Sequence, residues 1–283
     1  MRAAAAILAA FVVQAGSAPD RPQVLGISHV AIQVTDMAAA REFYGAVLGL
    51  PEQGPKRPHV AVFAVNQAQR LIVRDGLPAA RDERLIDVGF ATDVDVMRTF
   101  LIARGLKAGE AQSDADAGGR RFEMTDPDGH AVQFVTIEPR ASPAPVERRI
   151  SRRILHAGLT IKDAAAADRF YKDALGFSET WRGGRPEDTT SWINMRVPDG
   201  TDYLEYMLYP GAPPSRQQLG SAHHVALLVQ DIQLALETLR ARTRPGDRNH
   251  RATPAIGVNN RWQLNVFDPD GTRVEFMEPW TVR

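Results

Sequence analysis

The chain has 283 residues, 44% of them hydrophobic, which is enough for two domains with cores of ordinary size. Its 34 Lys and Arg are balanced by 34 Asp and Glu, so no excess charge points to a nucleic-acid partner and a small-molecule partner is expected instead. The absence of cysteine excludes disulfides, thiolate metal ligands and cysteine nucleophiles.

At the N-terminus, Met1 and Arg2 precede an apolar run from Ala3 to Val13 and then the small residues of QAGSA. Residues 1–18 therefore read as a secretory signal peptide. They offer a basic start, an apolar stretch too short to span a bilayer, and cleavage after Ala15 or Ala18. The expectation is export to the periplasm or the medium with no membrane attachment after cleavage, and a cytoplasmic protein if the signal is not used.

A first domain is predicted over residues 24–138. In HVAIQVTDMAAAREFYGAVLGL, His29 is followed by Asp36 at +7 and by Phe43-Tyr44 at +14. The pattern is an alternating strand, an aspartate, then a helix with the apolar stripe Phe43, Val47 and Leu50. A weaker copy, DVGFATDVDVMRTFLIARG, begins near Arg84, and DPDG at Asp126 to Gly129 leads into AVQFVTIEP. Residues 139–153, rich in Pro and Arg, form a linker whose arginines (Arg148, Arg149, Arg152, Arg153) are read as a solvated run without function.

The second domain, residues 154–280, repeats the plan. His156 is followed by Asp163 at +7 and Phe170-Tyr171 at +14 in HAGLTIKDAAAADRFYKDALGF. Another unit starts near Ala222 with HHVALLVQD and a stripe of Leu234, Leu236 and Leu239, and DPDG recurs at Asp268 to Gly271 before RVEFMEP. Further strands such as Ser191–Val197 and Tyr203–Tyr209 complete each unit. Four βαβββ units are thus expected, starting near Val24, Arg84, Ile154 and Ala222.

Strand parity singles out four side chains of the second domain. Ala157, Leu159 and Ile161 share an apolar face, which leaves His156 on the other; Val225, Leu227 and Val229 do the same for His224. Glu205 lies between Leu204 and Tyr206, and Glu275 between Val274 and Phe276. A carboxylate placed mid-strand among apolar residues is costly to bury unless it is paired or metal-bound. Two imidazoles and two carboxylates make a donor set suited to one divalent ion, whether Zn, Ni, Fe, Mn or Co. His223 has the opposite parity and is read as outward or structural.

The first domain does not repeat this set. His29 matches His156, but no Asp or Glu occurs between Glu52 and Asp75, Asp87 or Ile86 falls at the second histidine, and Gln133 stands at the final glutamate. It is expected to be a structural half or a secondary pocket, with at most weak metal binding by His29, Asp87 and Gln133.

The unit order, together with ILHAGLTIKD, YLEYMLYPG, HHVALLVQD and DPDGTRVEF, resembles the vicinal oxygen chelate superfamily, which includes glyoxalase I, extradiol dioxygenases, fosfomycin-resistance enzymes and bleomycin-binding proteins. That resemblance implies an α+β fold in which the four βαβββ units pair into two cupped, barrel-like sheets. The second domain is most similar to glyoxalase I, which implies His156, Glu205, His224 and Glu275 as metal ligands and Glu275 as the base. The function so implied is a metal-dependent lyase or isomerase that moves a proton on a small oxygen-chelating substrate. Two alternatives stand beside it. One is an Fe(II) extradiol-type dioxygenase using His156, His224 and Glu275; the other is a binding protein without turnover. Trp181, Arg182, Arg185, Trp192 and Asn194 occupy the segment where substrate contacts arise in this family.

Overall fold

Each of the four units begins alike for a local reason. A strand runs out at an aspartate with extended backbone whose side chain accepts hydrogen bonds from first-turn amides, and Asp36, Asp93, Asp163 and Asp231 all cap helices in this way. Each cap contributes about 1 kcal/mol. The structure is a computed structural model that describes residues 20–78, 83–114, 116, 119–138, 148–209 and 215–282. The expected signal peptide, and with it the expected export, lies outside the described residues, as do residues 139–147 of the expected linker.

The first half contains strands β1 (Ile27–Gln33), β2 (Val60–Ala64), β3 (Arg70–Arg74), β4 (Leu85–Ala91), β5 (Gln112–Ser113), β6 (Arg120–Thr125) and β7 (Ala131–Val135). Its helices are α1 (Met37–Arg41), continued by a wider π turn over Glu42–Val47, and α2 (Val94–Ala103). The second half contains β8 (Ile154–Ile161), β9 (Ser178–Gly183), β10 (Trp192–Arg196), β11 (Tyr203–Leu208), β12 (His224–Leu228), β13 (Ala255–Ile256), β14 (Arg261–Phe267) and β15 (Arg273–Thr281). Its helices are α3 (Ala164–Asp168), again continued by a π turn (Arg169–Ala174), α4 (Arg216–Ala222) and α5 (Ile232–Arg242).

Two curled half-barrel sheets result, ordered β2-β3-β1-β4-β7-β6-β5 and β13-β14-β15-β12-β8-β11-β10-β9. Within each, two units meet through an antiparallel central pair, β1 with β4 and β8 with β12, flanked by parallel partners. The α+β fold with two cups is as the family resemblance implied, built from the four repeated units. Two details differ. The strand expected after the first helix is reduced to a single bridge, Glu52 to Phe63. In α5 the buried stripe is Ile232, Ala235, Leu236 and Leu239, while Leu234 is 61% exposed, because only positions spaced by three and four share a helix face.

The DPDG repeats explain how the halves are joined. In each, the first aspartate closes a tight turn by accepting a backbone amide, from His130 at 2.8 Å or Thr272 at 2.7 Å, and the glycine takes a positive φ of 95° or 85° that suits a residue without Cβ. The other carboxylate oxygen faces the opposite half. Tyr44 donates to Asp268 at 3.0 Å and Tyr171 to Asp126 at 2.9 Å. The amides of Thr35 and Lys162 complete the exchange by donating to Asp270 (2.9 Å) and Asp128 (3.0 Å). Apolar packing continues across the same boundary, where Phe90 meets Phe177 edge-on at 5.2 Å, and one core cluster draws on both halves.

Candidate metal centre

Register places the four sequence-expected donors together. One row of cross-strand partners runs Arg196, Tyr203, His156, Ala226, Glu275, Asn265 across β10, β11, β8, β12, β15 and β14. The adjacent row runs Asn194, Glu205, Gly158, His224, Arg273, Phe267. Side chains in both rows point into the cup because residues two apart on a strand share a face. Gly158 is what admits His224 to this space: a Cβ there would lie 2.0 Å from the His224 ring.

The Nε2 atoms of His156 and His224 are 3.0 Å apart, and Glu275 Oε2 lies 3.3 Å from His224 Nε2. Two nitrogens bound to an ion at about 2.0–2.1 Å and at a right angle are about 3 Å apart, so the spacing fits two nitrogens that touch one ion. Donor atoms of His156, His224 and Glu275 all fall within 4.8 Å of one another. Glu205 Oε2 stands beside them, 3.6 Å from His224 Nε2 and 4.0 Å from His156 Nε2. All four residues are buried.

The electrostatics favour a cation. Burial pushes both imidazoles below their usual range; the neighbouring His224 adds to this for His156, and Arg273 does so for His224. Both rings are therefore neutral, with lone pairs available to a metal. His224 Nδ1 lies 2.8 Å from the Ala222 carbonyl and 2.6 Å from Arg273 Nη2, and these contacts orient the ring so that Nε2 faces the cup. Burial and the charge of Glu275 raise the Glu205 carboxyl, whereas Glu275 is held low despite its burial by the neighbouring His224 and the charge of Arg273. Glu275 Oε1 and His156 Nδ1 are buried without a hydrogen-bond partner among the described residues. Of these donors, His156, His224 and Glu275 could hold one divalent ion, with Glu205 beside them.

The site opens into a cavity of about 250 Å³ bounded by Trp181, Arg185, Trp192 and Gln263 together with Glu205, Arg273 and Glu275. Of the residues expected near substrate, Trp181, Arg185 and Trp192 are therefore placed at it. Arg182 turns outward to pair with Glu179 at 2.6 Å, and Asn194 lines an adjoining cavity. Sequence reading missed Arg273 and Tyr203, whose ring stacks on His156 at 4.6 Å. Each lies two residues before an expected carboxylate ligand, so the parity that found Glu275 and Glu205 also points to them. His223 is structural: it is buried, with Nε2 2.8 Å from Thr160 Oγ1, and its ring meets that of His130 from the other half.

In the first half the corresponding rows are Arg70, His29, Gly89, Gln133, Glu123 and Ile72, Ala31, Asp87, Ala131, Thr125. Asp87, not Ile86, thus occupies the position of the second histidine, and Ile72 that of Glu205. His29 Nε2 binds Asp87 at 2.9 Å, and Gln133 donates to both Asp87 and Glu123 at 3.1 Å. No metal-type cluster forms there among the described residues.

Comparison with known proteins sharpens this picture. Metapyrocatechase 2 of Cupriavidus necator is 26% identical over 287 residues, which span 93% of this chain and 83% of that protein. The uncharacterized protein YaeR of Escherichia coli (strain K12) is 28% identical over 133 residues, covering 45% of this chain and 96% of that protein, so one half here matches a whole protein there. Among solved structures, the 2,3-dioxygenase LapB of Pseudomonas sp. KL28 superposes with a TM-score of 0.69 at 19% identity over 92% of this chain and 93% of its own. Homoprotocatechuate 2,3-dioxygenase of Brevibacterium fuscum does so with a TM-score of 0.69 at 21% identity over 94% and 83%. At these identities the structural likenesses speak for the fold.

The glyoxalase-type lyase expected from the ligand quartet is overturned by these relatives. Relatives that match along most of the chain include a metapyrocatechase and ring-cleaving dioxygenases. The physical reason for the misreading is that the two chemistries share three donor positions, and Glu205 beside them gave the lyase pattern. The base role that the lyase reading gave Glu275 falls with it. The model of the Glyoxalase/Bleomycin resistance protein/Dioxygenase superfamily matches residues 26–134 and 153–276, and the chain belongs to that family.

Proposed function

We propose that the protein is an Fe(II)-dependent extradiol-type dioxygenase that opens the ring of a small catechol-like substrate in its second half. The observation that carries this reading is the His156–His224–Glu275 triad at the mouth of a tryptophan-walled cavity, in a chain whose relative along most of its length is a metapyrocatechase. Two histidines and one carboxylate holding Fe(II) leave open positions for both a diol and oxygen.

The chain's own residues supply the rest. Trp181 and Trp192 offer flat apolar faces to an aromatic ring and displace water from it. Arg273 places a fixed positive charge beside His224, where it opposes protonation of the ligand and favours an anionic diolate. Glu205 stands at the edge of the triad, 3.6 Å from His224 Nε2, and takes the proton from a substrate hydroxyl. A fourth protein ligand would occupy a position that the diol and oxygen need, which is why Glu205 is assigned to proton transfer. The leader pattern of residues 1–18 supports work outside the cytoplasm, which cell fractionation checks.

The test is anaerobic loading with Fe(II), elemental analysis, and oxygen uptake with catechol. Uptake stoichiometric with loss of catechol is expected, and a fully loaded protein that consumes no oxygen with any catechol overturns the reading. Glu205→Gln is expected to keep its iron and lose about 100-fold in turnover; loss of iron instead shows that Glu205 is a ligand.

A further inference from the structure

A second cavity adjoins the metal cavity and carries a charge with nothing to meet it. It measures about 350 Å³ and shares Trp181 and Asn259 with the cavity above the metal ligands. Two arginines line it, Arg196 on β10 and Arg261 on β14. Arg196 belongs to the ligand row through Tyr203 and His156, and Arg261 shares its strand face with Gln263, which bounds the metal cavity. Both side chains line this cavity, Arg196 as an exposed residue and Arg261 as a half-buried one.

Neither guanidinium has an ion pair or a side-chain hydrogen bond among the described residues. Several other arginines do have carboxylate partners, as with Arg41 to Glu52 at 3.1 Å and Arg153 to Asp202 at 2.6 Å. No carboxylate lines this second cavity.

We propose that Arg196 and Arg261 form an anion subsite that holds a carboxylate on the substituent of an aromatic substrate while its diol faces the triad. The substrate class is therefore a catechol bearing an acidic side chain, and this part rests on the dioxygenase reading above. Trp181, common to both cavities, lies at the passage that such a side chain threads. Two arginines facing one carboxylate suit charge-assisted, bidentate binding, and the loss of one such bond weakens binding about tenfold or more.

The test compares kcat/KM for protocatechuate and the longer caffeate with that for catechol, in the Fe(II)-loaded parent and in Arg196→Gln, Arg261→Gln and Arg261→Lys. The parent is expected to prefer a carboxylated diol, each glutamine variant to reduce that preference about tenfold, and the lysine variant to retain most of it. Calorimetric binding of cinnamate, which has the acid but no diol, gives a readout independent of turnover and is expected to be lost in both glutamine variants. If catechols are cleaved without preference for the acids and cinnamate binding is absent or insensitive to the arginines, the anion subsite is overturned and the dioxygenase reading stands. If cinnamate binds through the arginines while no diol is consumed, the subsite stands and the dioxygenase reading falls.

Discussion

The two cups share a topology and a register yet resolve the same buried position in opposite ways. In the second half, two imidazoles and two carboxylates face one another with Glu275 Oε1 unpartnered among the described residues, and three of the four could hold a cation. In the first half, the second histidine is an aspartate and the first carboxylate an isoleucine, and His29, Asp87 and Gln133 satisfy one another at 2.9 and 3.1 Å. An acid placed directly against the one remaining imidazole removes the excess of like groups that a metal would otherwise bridge. A metal site is thus lost by exchanging a few donors, with the backbone unchanged, because a buried carboxylate requires a partner and either a metal or a hydrogen-bonded imidazole supplies it.

The strongest way to break this comparison is to remove one histidine from each half. His224→Ala is expected to abolish metal binding, whereas His29→Ala keeps the metal content and instead lowers stability by about 1–3 kcal/mol, since it removes a hydrogen bond from buried Asp87 and leaves Gln133 as its partner. Elemental analysis and denaturant unfolding separate the two effects, and equal metal loss from both variants ends the asymmetry argued here.

A subtler pair lies in the glycines beneath the rings. A Cβ at Gly158 meets the His224 ring at 2.0 Å, and one at Gly89 meets the His29 ring at 2.1 Å. Gly158→Ala is expected to weaken metal affinity at least about tenfold by displacing His224, and Gly89→Ala to cost stability alone, by about 1–3 kcal/mol. Metal titration followed by thermal unfolding checks both.

Acid sensitivity sharpens the contact between the halves. His223, packed against His130, is pushed down to about 3 by burial, with the charge of His130 adding to the effect. Its folded value lies below its unfolded value, so the unfolded chain binds the extra proton between the two. Stability from neutral His223 is therefore complete above about pH 6.5 and is lost as the pH falls from there towards 3. His223→Asn is expected to flatten that slope, by a few kcal/mol at most, in unfolding measured between neutral pH and about pH 4.5.

The smallest effects are expected at the paired tyrosines. Tyr44→Phe and Tyr171→Phe each remove a hydrogen bond to a buried aspartate of the other half, worth about 1–2 kcal/mol. They are not equivalent. Asp126 keeps His130 at 2.8 Å, which holds its carboxyl low despite burial, whereas burial raises Asp268, whose other contacts are to Thr272. Tyr44→Phe is expected to cost more than Tyr171→Phe, and the reverse order in equilibrium unfolding counts against this account of the junction.

What the sequence determined by itself was whatever depends on near neighbours in the chain. Aspartate caps act within a few residues, strand parity repeats every second residue, and the repeats announce four units; together these located His156, Glu205, His224 and Glu275 and the absence of an equal set around His29. Contacts set by pairing between distant strands were decided only in the tertiary structure. Irregularities in the β1–β4 ladder, including one between Ala31 and Ile32, put Asp87 rather than Ile86 opposite Ala31. The exchange of Tyr44 and Tyr171 between halves, the stacking of Tyr203 on His156 and the place of Arg273 beside His224 arise in the same way. Parity says which face a side chain takes, but which residues become its neighbours depends on strand order and register, and these are fixed by the packing of the whole chain.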